Sequence, residues 1–120
     1  MYATVFQIAV GNLKPAIPIS LVERGTHDAA DVAGATGFKF SMAKIKDDGT
    51  RDTPKINGAN VTLTSLDPPI VTYQWAGLDT DTAGQYASWV DVAFGTGFTQ
   101  VQTFDGPVIE VYAKGDKVAR

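Results

Sequence analysis

Between Val71 and Phe94 the chain alternates, breaks and alternates again, and this pattern limits its fold more than any other stretch. Val71, Tyr73 and Trp75 fall on one face of a strand, because side chains two residues apart point the same way. A polar corner carrying Asp79, Asp81 and Gly84 interrupts the pattern. A second strand then places Tyr86, Ser88, Val90, Val92 and Phe94 on one face and Ala87, Trp89 and Asp91 on the other. A strand, an acidic corner and a tyrosine two residues past a small residue is how a β-sandwich passes its chain between sheets. Trp75, Asp81, Gly84 and Tyr86 are therefore the expected structural corner. Nothing in the stretch is chemically reactive.

The flanking sequence repeats the strand-and-turn rhythm. Residues 2–10 are rich in β-formers and stop at Gly11-Asn12. Pro15 and Pro18 exclude a helix, and Ile17, Ile19 and Leu21 define one face of a strand suited to a sheet edge. The segment 28–36 reads as a loop with Val32 tucked inward. Phe38, Phe40 and Met42 then alternate with Lys39, Ser41 and Ala43. Asp47-Asp48-Gly49-Thr50 is a turn, since aspartates cap nearby backbone and glycine accepts positive φ. Pro54 and Asn57-Gly58 bracket an irregular piece, after which Ala59, Val61 and Leu63 alternate again. Asp67-Pro68-Pro69 is a stiff connection. Gly95-Thr96-Gly97 reads as a hairpin loop, Asp105-Gly106-Pro107 as a break, and Val108 to Tyr112 as a last strand. About eight strands at this spacing predict an all-β fold, an immunoglobulin-like antiparallel β-sandwich of 7–9 strands. One domain is expected over residues 1–120, with 1–12 as a docking strand and 113–120 as a polar tail.

Composition agrees with that class and narrows the functions. A core in 120 residues can bury roughly two-thirds of the unfolded surface. Twelve glycines and six prolines suit many tight turns. The net charge is -3 and the basic residues are scattered, so no cationic stripe is present to neutralise nucleic-acid phosphates. No apolar run approaches the roughly 20 residues of a membrane-spanning helix. The chain has no cysteine and its first ten residues lack a signal-peptide pattern, which together point to synthesis in a reducing cytoplasm.

Reactive groups are scarce. His27 is the only histidine, so a His- or Cys-rich zinc site, a cysteine nucleophile and a serine triad have little to build on. Ser41, Ser65 and Ser88 occupy no nucleophile-elbow pattern. The acid pairs Asp47/Asp48 and Asp79/Asp81 lack the ligand spacing of a calcium loop and read as turn caps. No enzyme activity, cofactor or metal is expected. Tyr73 and Trp75 share a face with Val71 and read as core. Trp89 lies on the opposite face from Val90 and Val92, beside Ala87 and Asp91, which makes it a candidate partner contact.

Several pieces in order also carry a resemblance. They are Val32-Ala-Gly-Ala-Thr36 leading into Phe38-Lys-Phe-Ser-Met42, then Asp47-Asp-Gly49 and Gly58-Ala-Asn-Val61. Tyr73-Gln-Trp75 with Asp79-Thr-Asp-Thr-Ala-Gly-Gln-Tyr86 is the most specific. Gln102-Thr-Phe104 and Val108-Ile-Glu-Val111 complete the set. From about residue 15 to 112 the chain resembles a family of small phage virion domains, similar to the N-terminal domain of siphophage upper baseplate proteins and related tail and head-attached modules. The segments Gly25 to Ala33 and Arg51 to Asn57 are longer and more polar than that pattern. Larger members continue into a receptor-carrying region, whereas this chain ends after the sandwich. The resemblance implies a structural part of a virion, made in the host cytoplasm, with other virion proteins as partners in a symmetric assembly. It carries over no catalytic residue.

Two functions follow as expectations. In the first, a tail, baseplate, neck or decoration protein docks through sheet edges, loops and termini. Residues 2–10 carry apolar side chains on both faces (Tyr2, Val5, Phe6, Ile8 and Val10) and can extend a neighbour's sheet. Removing residues 1–10 is then expected to leave a soluble sandwich that no longer assembles. In the second, the domain binds a surface glycan by stacking on Trp89 or Tyr112.

Overall fold

The computed structural model of the chain describes residues 5–22, 32, 34–66, 68–94 and 100–113. They form nine strands: β1 (Val5–Ala9), β2 (Ile17–Ser20), β3 (Ala35–Ile45), β4 (Arg51–Asn60), β5 (Thr62–Leu66), β6 (Pro69–Tyr73), β7 (Gly84–Phe94), β8 (Gln100–Asp105) and β9 (Val108–Tyr112). The first sheet runs β1-β9-β7-β3-β4, with β8 also paired to β7; the second runs β2-β6-β5. This is the expected all-β sandwich. All pairings are antiparallel except β1 with β9, which run parallel from Val5 beside Val108 to Ala9 beside Tyr112.

Alternation explains which faces meet. Ile17 and Ile19 of β2 and Val71 and Tyr73 of β6 point from the smaller sheet. Phe40 and Met42 of β3, Tyr86, Val90 and Val92 of β7, and Ile109 and Val111 of β9 point from the larger one. Both sets are buried in one cluster, which Leu21 and Val32 join. Phe40 and Tyr73 stack across the two sheets with ring centroids 4.7 Å apart. Trp75 meets both edge-on, at 6.3 and 5.5 Å. Aromatic pairs favour these tilted and offset arrangements because ring edges carry positive and ring faces negative charge. Among the described residues, every buried side-chain nitrogen and oxygen has a hydrogen-bond partner.

Three sequence expectations need correction. The piece bracketed by Pro54 and Asn57-Gly58 is not irregular: it belongs to β4, which follows β3 through three register shifts. Bulges accommodate Pro54 and Gly58, the latter at φ 76°, without ending the strand. The alternation Ala59, Val61, Leu63 is not one strand, because the chain leaves the larger sheet at Asn60 and enters the smaller one at Thr62. Val61 makes the corner, its amide bonded to the Phe38 carbonyl at 3.3 Å.

The third concerns the expectation that residues 1–10 can be removed from an intact sandwich. Tyr2 lies outside the described residues, but Val5 to Ala9 pair with their own chain's β9. Ile8 is only 2% exposed, and Phe6 packs against the core with its ring 6.1 Å from Trp75. Truncating residues 1–10 would therefore strip the core instead of leaving an intact sandwich, since apolar area buried by β1 would return to water.

The break at Gly106-Pro107 solves a facing problem. Phe104 pairs with Val90 and Ile109 with Tyr86, and all four are buried. An unbroken strand would turn Phe104 and Ile109 to opposite faces. The returning chain instead takes one extra residue: Tyr86 to Trp89 on β7 faces Ile109 to Asp105. The Gly106 amide bonds the Ser88 carbonyl at 2.9 Å, and the Ser88 hydroxyl donates to the Pro107 carbonyl at 2.6 Å.

Candidate functional site

The residues singled out in sequence fall in three places: the crossover between sheets, the outer face around Trp89, and the margin formed by β1.

The crossover, residues 74–83, is held by a dense set of polar contacts. The Tyr86 hydroxyl donates to the Thr82 carbonyl at 2.7 Å, closing the corner onto the first turn of β7. Asp81 accepts from Lys55 of β4 at 2.7 Å and from the Thr82 hydroxyl at 2.9 Å. Those two hydrogen bonds, Lys55 first, hold its carboxyl below the usual aspartate range. Asp79 accepts from the Tyr73 hydroxyl at 2.6 Å and the Ala76 amide at 2.9 Å. The two acids thus serve different partners, one capping the turn and one in an ion pair. Asp48 is likewise a turn cap, accepting from the Thr50 amide and hydroxyl. No group of three or more metal-binding side chains gathers among the described residues.

The connection from β1 to β2 is bonded to this corner. Trp75 Nε1 donates to the Pro15 carbonyl at 3.0 Å, the Thr80 hydroxyl to the Asn12 carbonyl at 2.8 Å, and Gln74 Nε2 to the Leu13 carbonyl at 2.7 Å. The Gly11 amide donates to the Thr80 carbonyl at 2.9 Å. On the outside of these two joined segments stand Leu13, 37% exposed, and Leu78, 74% exposed. Sequence reasoning missed both leucines. The signal was there for Leu78, an apolar residue inside an acidic turn; Leu13 joins it only through the long-range bonds just described.

Both phenols are raised above the ordinary tyrosine value. For Tyr73 burial is the larger cause and the bond to Asp79 the next; for Tyr86 burial dominates, with Lys55 opposing it and Asp81 adding to it. The fold favours the neutral phenols, so their contribution is fully present below the unfolded tyrosine pKa of about 10 and is lost as pH rises toward the folded values. The urea midpoint should therefore fall as the solution is taken above about pH 10, and Tyr73→Phe should shallow that fall. A midpoint that stays level for the native chain across that range would contradict the assignment.

On the outer face, Trp89 is half-buried, beside Ser41 on β3 and Asp105 on β8. The Arg51 guanidinium lies 4.9 Å from its ring centroid, a cation–π contact. Ser41 is buried and accepts from the Gly58 amide at 3.0 Å. Nearby, the Thr103 hydroxyl donates to Asp91 at 2.6 Å. One face of the indole is thus covered by its own chain, and a sugar stacking on that face would have to displace Arg51. Tyr112, half-buried, lies opposite Ala9 at the end of β9.

On the β1 margin, Val5 is 53% exposed, whereas Phe6 and Ile8 turn inward. Of the partner contacts expected from sequence, the structure leaves Val5 well exposed and Trp89 half-buried. His27 lies outside the described residues.

Comparison with protein-family models, curated proteins and solved structures finds no match to this chain.

Proposed function

We propose that this chain is a non-enzymatic structural component of a bacteriophage virion, a tail, baseplate, neck or decoration part that joins other virion proteins in a symmetric assembly. Two things support the reading: the resemblance of an ordered set of short motifs to phage virion domains, and the construction of the crossover end. The observation that carries it is Leu78, 74% exposed on a corner fixed by hydrogen bonds on both sides. An apolar side chain displayed on a pre-ordered loop can be buried by a partner with little further ordering cost. Leu13, on the segment bonded to that corner, extends the contact. A glycan-binding role is the weaker reading because Arg51 occupies one face of Trp89.

The test is incorporation. Particles produced with the native chain should contain it, and the Leu13→Asp/Leu78→Asp chain should be depleted from particles while remaining soluble and folded by circular dichroism. Normal occupancy of the double variant would remove the crossover end from assembly. A native chain absent from purified particles would overturn the virion reading. Glycan-array binding abolished by Trp89→Ala would favour the carbohydrate alternative.

A further inference from the structure

Strands at the margin of a sheet expose unpaired backbone groups, and proteins usually guard them with charge, proline or bulges. Four margins here are guarded, β8 among them by Asp105 at its end. β4 carries Arg51, Asp52, Pro54 and Lys55 and is bulged against β3. β2 is four residues long and contains Pro18. β5 shifts register between Leu63 and Ser65. β1 is different: Val5-Phe-Gln-Ile-Ala9 has no charge and no proline, and it pairs with β9 in unbroken register.

The direction of its backbone groups follows from one bond. The Val10 amide donates to the Tyr112 carbonyl at 2.8 Å, so by alternation Phe6 and Ile8 also turn their amides toward β9. Val5, Gln7 and Ala9 turn theirs outward. The Ala9 carbonyl is taken by the Asn12 amide. No described strand lies beyond the remaining groups of Val5 and Gln7.

We propose that this margin is a docking edge for a second copy of the chain, the two β1 strands running antiparallel about a two-fold axis at Gln7. Charge argues for self-pairing: Gln7 meets Gln7 and Val5 meets Ala9, so no like charges stand opposite one another. The nearest acid, Glu110, accepts from Gln7 Nε2 at 2.8 Å on the adjacent strand. Its copy lies three strand spacings away, roughly 14 Å, beyond the screening length of about 8 Å at physiological salt. Geometry argues for closure. The pairing uses the same edge on both copies, and the joined sheet then ends on the charged, proline-bearing β4 at each side, so growth stops at two. The exposed Val5 side chains flank the new contact.

This inference goes beyond the virion reading and is measured without a particle. Sedimentation of the full chain over a range of concentrations should show a monomer–dimer equilibrium. Val5→Pro removes an outward amide at the first described residue of an edge strand, where proline is tolerated, and Gln7→Lys places like charges on the axis. Both should shift the chain to monomer with unchanged circular dichroism. The chain has no cysteine, so Gln7→Cys offers a single thiol. Across a hydrogen-bonded antiparallel pair the Cα atoms lie about 5.5 Å apart, within disulfide reach, and oxidation should give a covalent dimer. A native chain that sediments as monomer throughout, a dimer that survives both substitutions, or a Gln7→Cys chain that does not cross-link would each overturn it. Leu13→Asp/Leu78→Asp should leave the dimer intact, which separates this edge from the crossover end.

Discussion

Trp75→Ala should destabilise the fold by about 3–5 kcal/mol, the range for emptying a large aromatic site. That is a large share of the roughly 5–15 kcal/mol by which domains are stable. Three effects act together. The indole is 2% exposed and touches rings from both sheets, so its loss leaves a cavity between Phe6, Phe40 and Tyr73. The edge-on pairs with Phe40 and Tyr73 disappear. The Pro15 carbonyl loses the Nε1 donor that ties the β1–β2 connection to the crossover. Trp75→Phe keeps most of the ring contact but not the donor, and should cost less. Urea denaturation of the two variants reads the difference. Equal losses would mean that the hydrogen bond, not the packing, carries the effect.

Gly106→Ala is expected to cost about 1–3 kcal/mol, the usual penalty for overpacking. Space is the reason, since the backbone at Gly106 is not in the left-handed region. A Cβ there would stand 2.5 Å from the Ser88 hydroxyl oxygen, while the Ser88 Cβ and carbonyl oxygen remain at an ordinary 3.5 Å. That hydroxyl cannot swing away without losing its bond to the Pro107 carbonyl. The clash is with one atom, so removing it should relieve the strain. The Ser88→Ala/Gly106→Ala chain should be at least as stable as Gly106→Ala alone, although Ser88→Ala by itself loses a hydrogen bond worth about 1 kcal/mol. Strictly additive losses in thermal melts would show that the bulge fails for another reason.

What was legible in the residues and what was not divides along range. Period-two alternation is local, and it placed Ile17, Ile19, Phe40, Met42, Val71, Tyr73, Tyr86, Val90 and Val92 on buried faces. The turn at Asp48-Gly49 and the crossover closed by Tyr86 rest on neighbours a few residues apart and were equally readable. β4 was not. Pro54 and Asn57-Gly58 look like breakers, and only pairing with β3 lets bulges absorb them. The corner at Val61 is hidden because alternation continues through it while the chain changes sheets. Phe104 and Ile109 share a face only through the bulge at Gly106-Pro107, a feature that parity alone misreads.

The candidate surfaces follow the same division. Trp89 was visible as an outward tryptophan, but its cover comes from Arg51, placed there by the hairpin of β3 and β4. Apolar residues on both faces of the first strand suggested a segment held in reserve for a neighbour. The strand is instead claimed by β9 at the other end of the chain, a pairing set by packing that nothing local announces.

That parallel pairing also determines how the domain meets tension. Val5 begins β1 at the end of the ladder opposite Tyr112, which finishes β9. Pulling the chain from its two ends draws these neighbouring strands past each other lengthwise. The bonds linking them must then yield together, as in shear, rather than open singly like a zip.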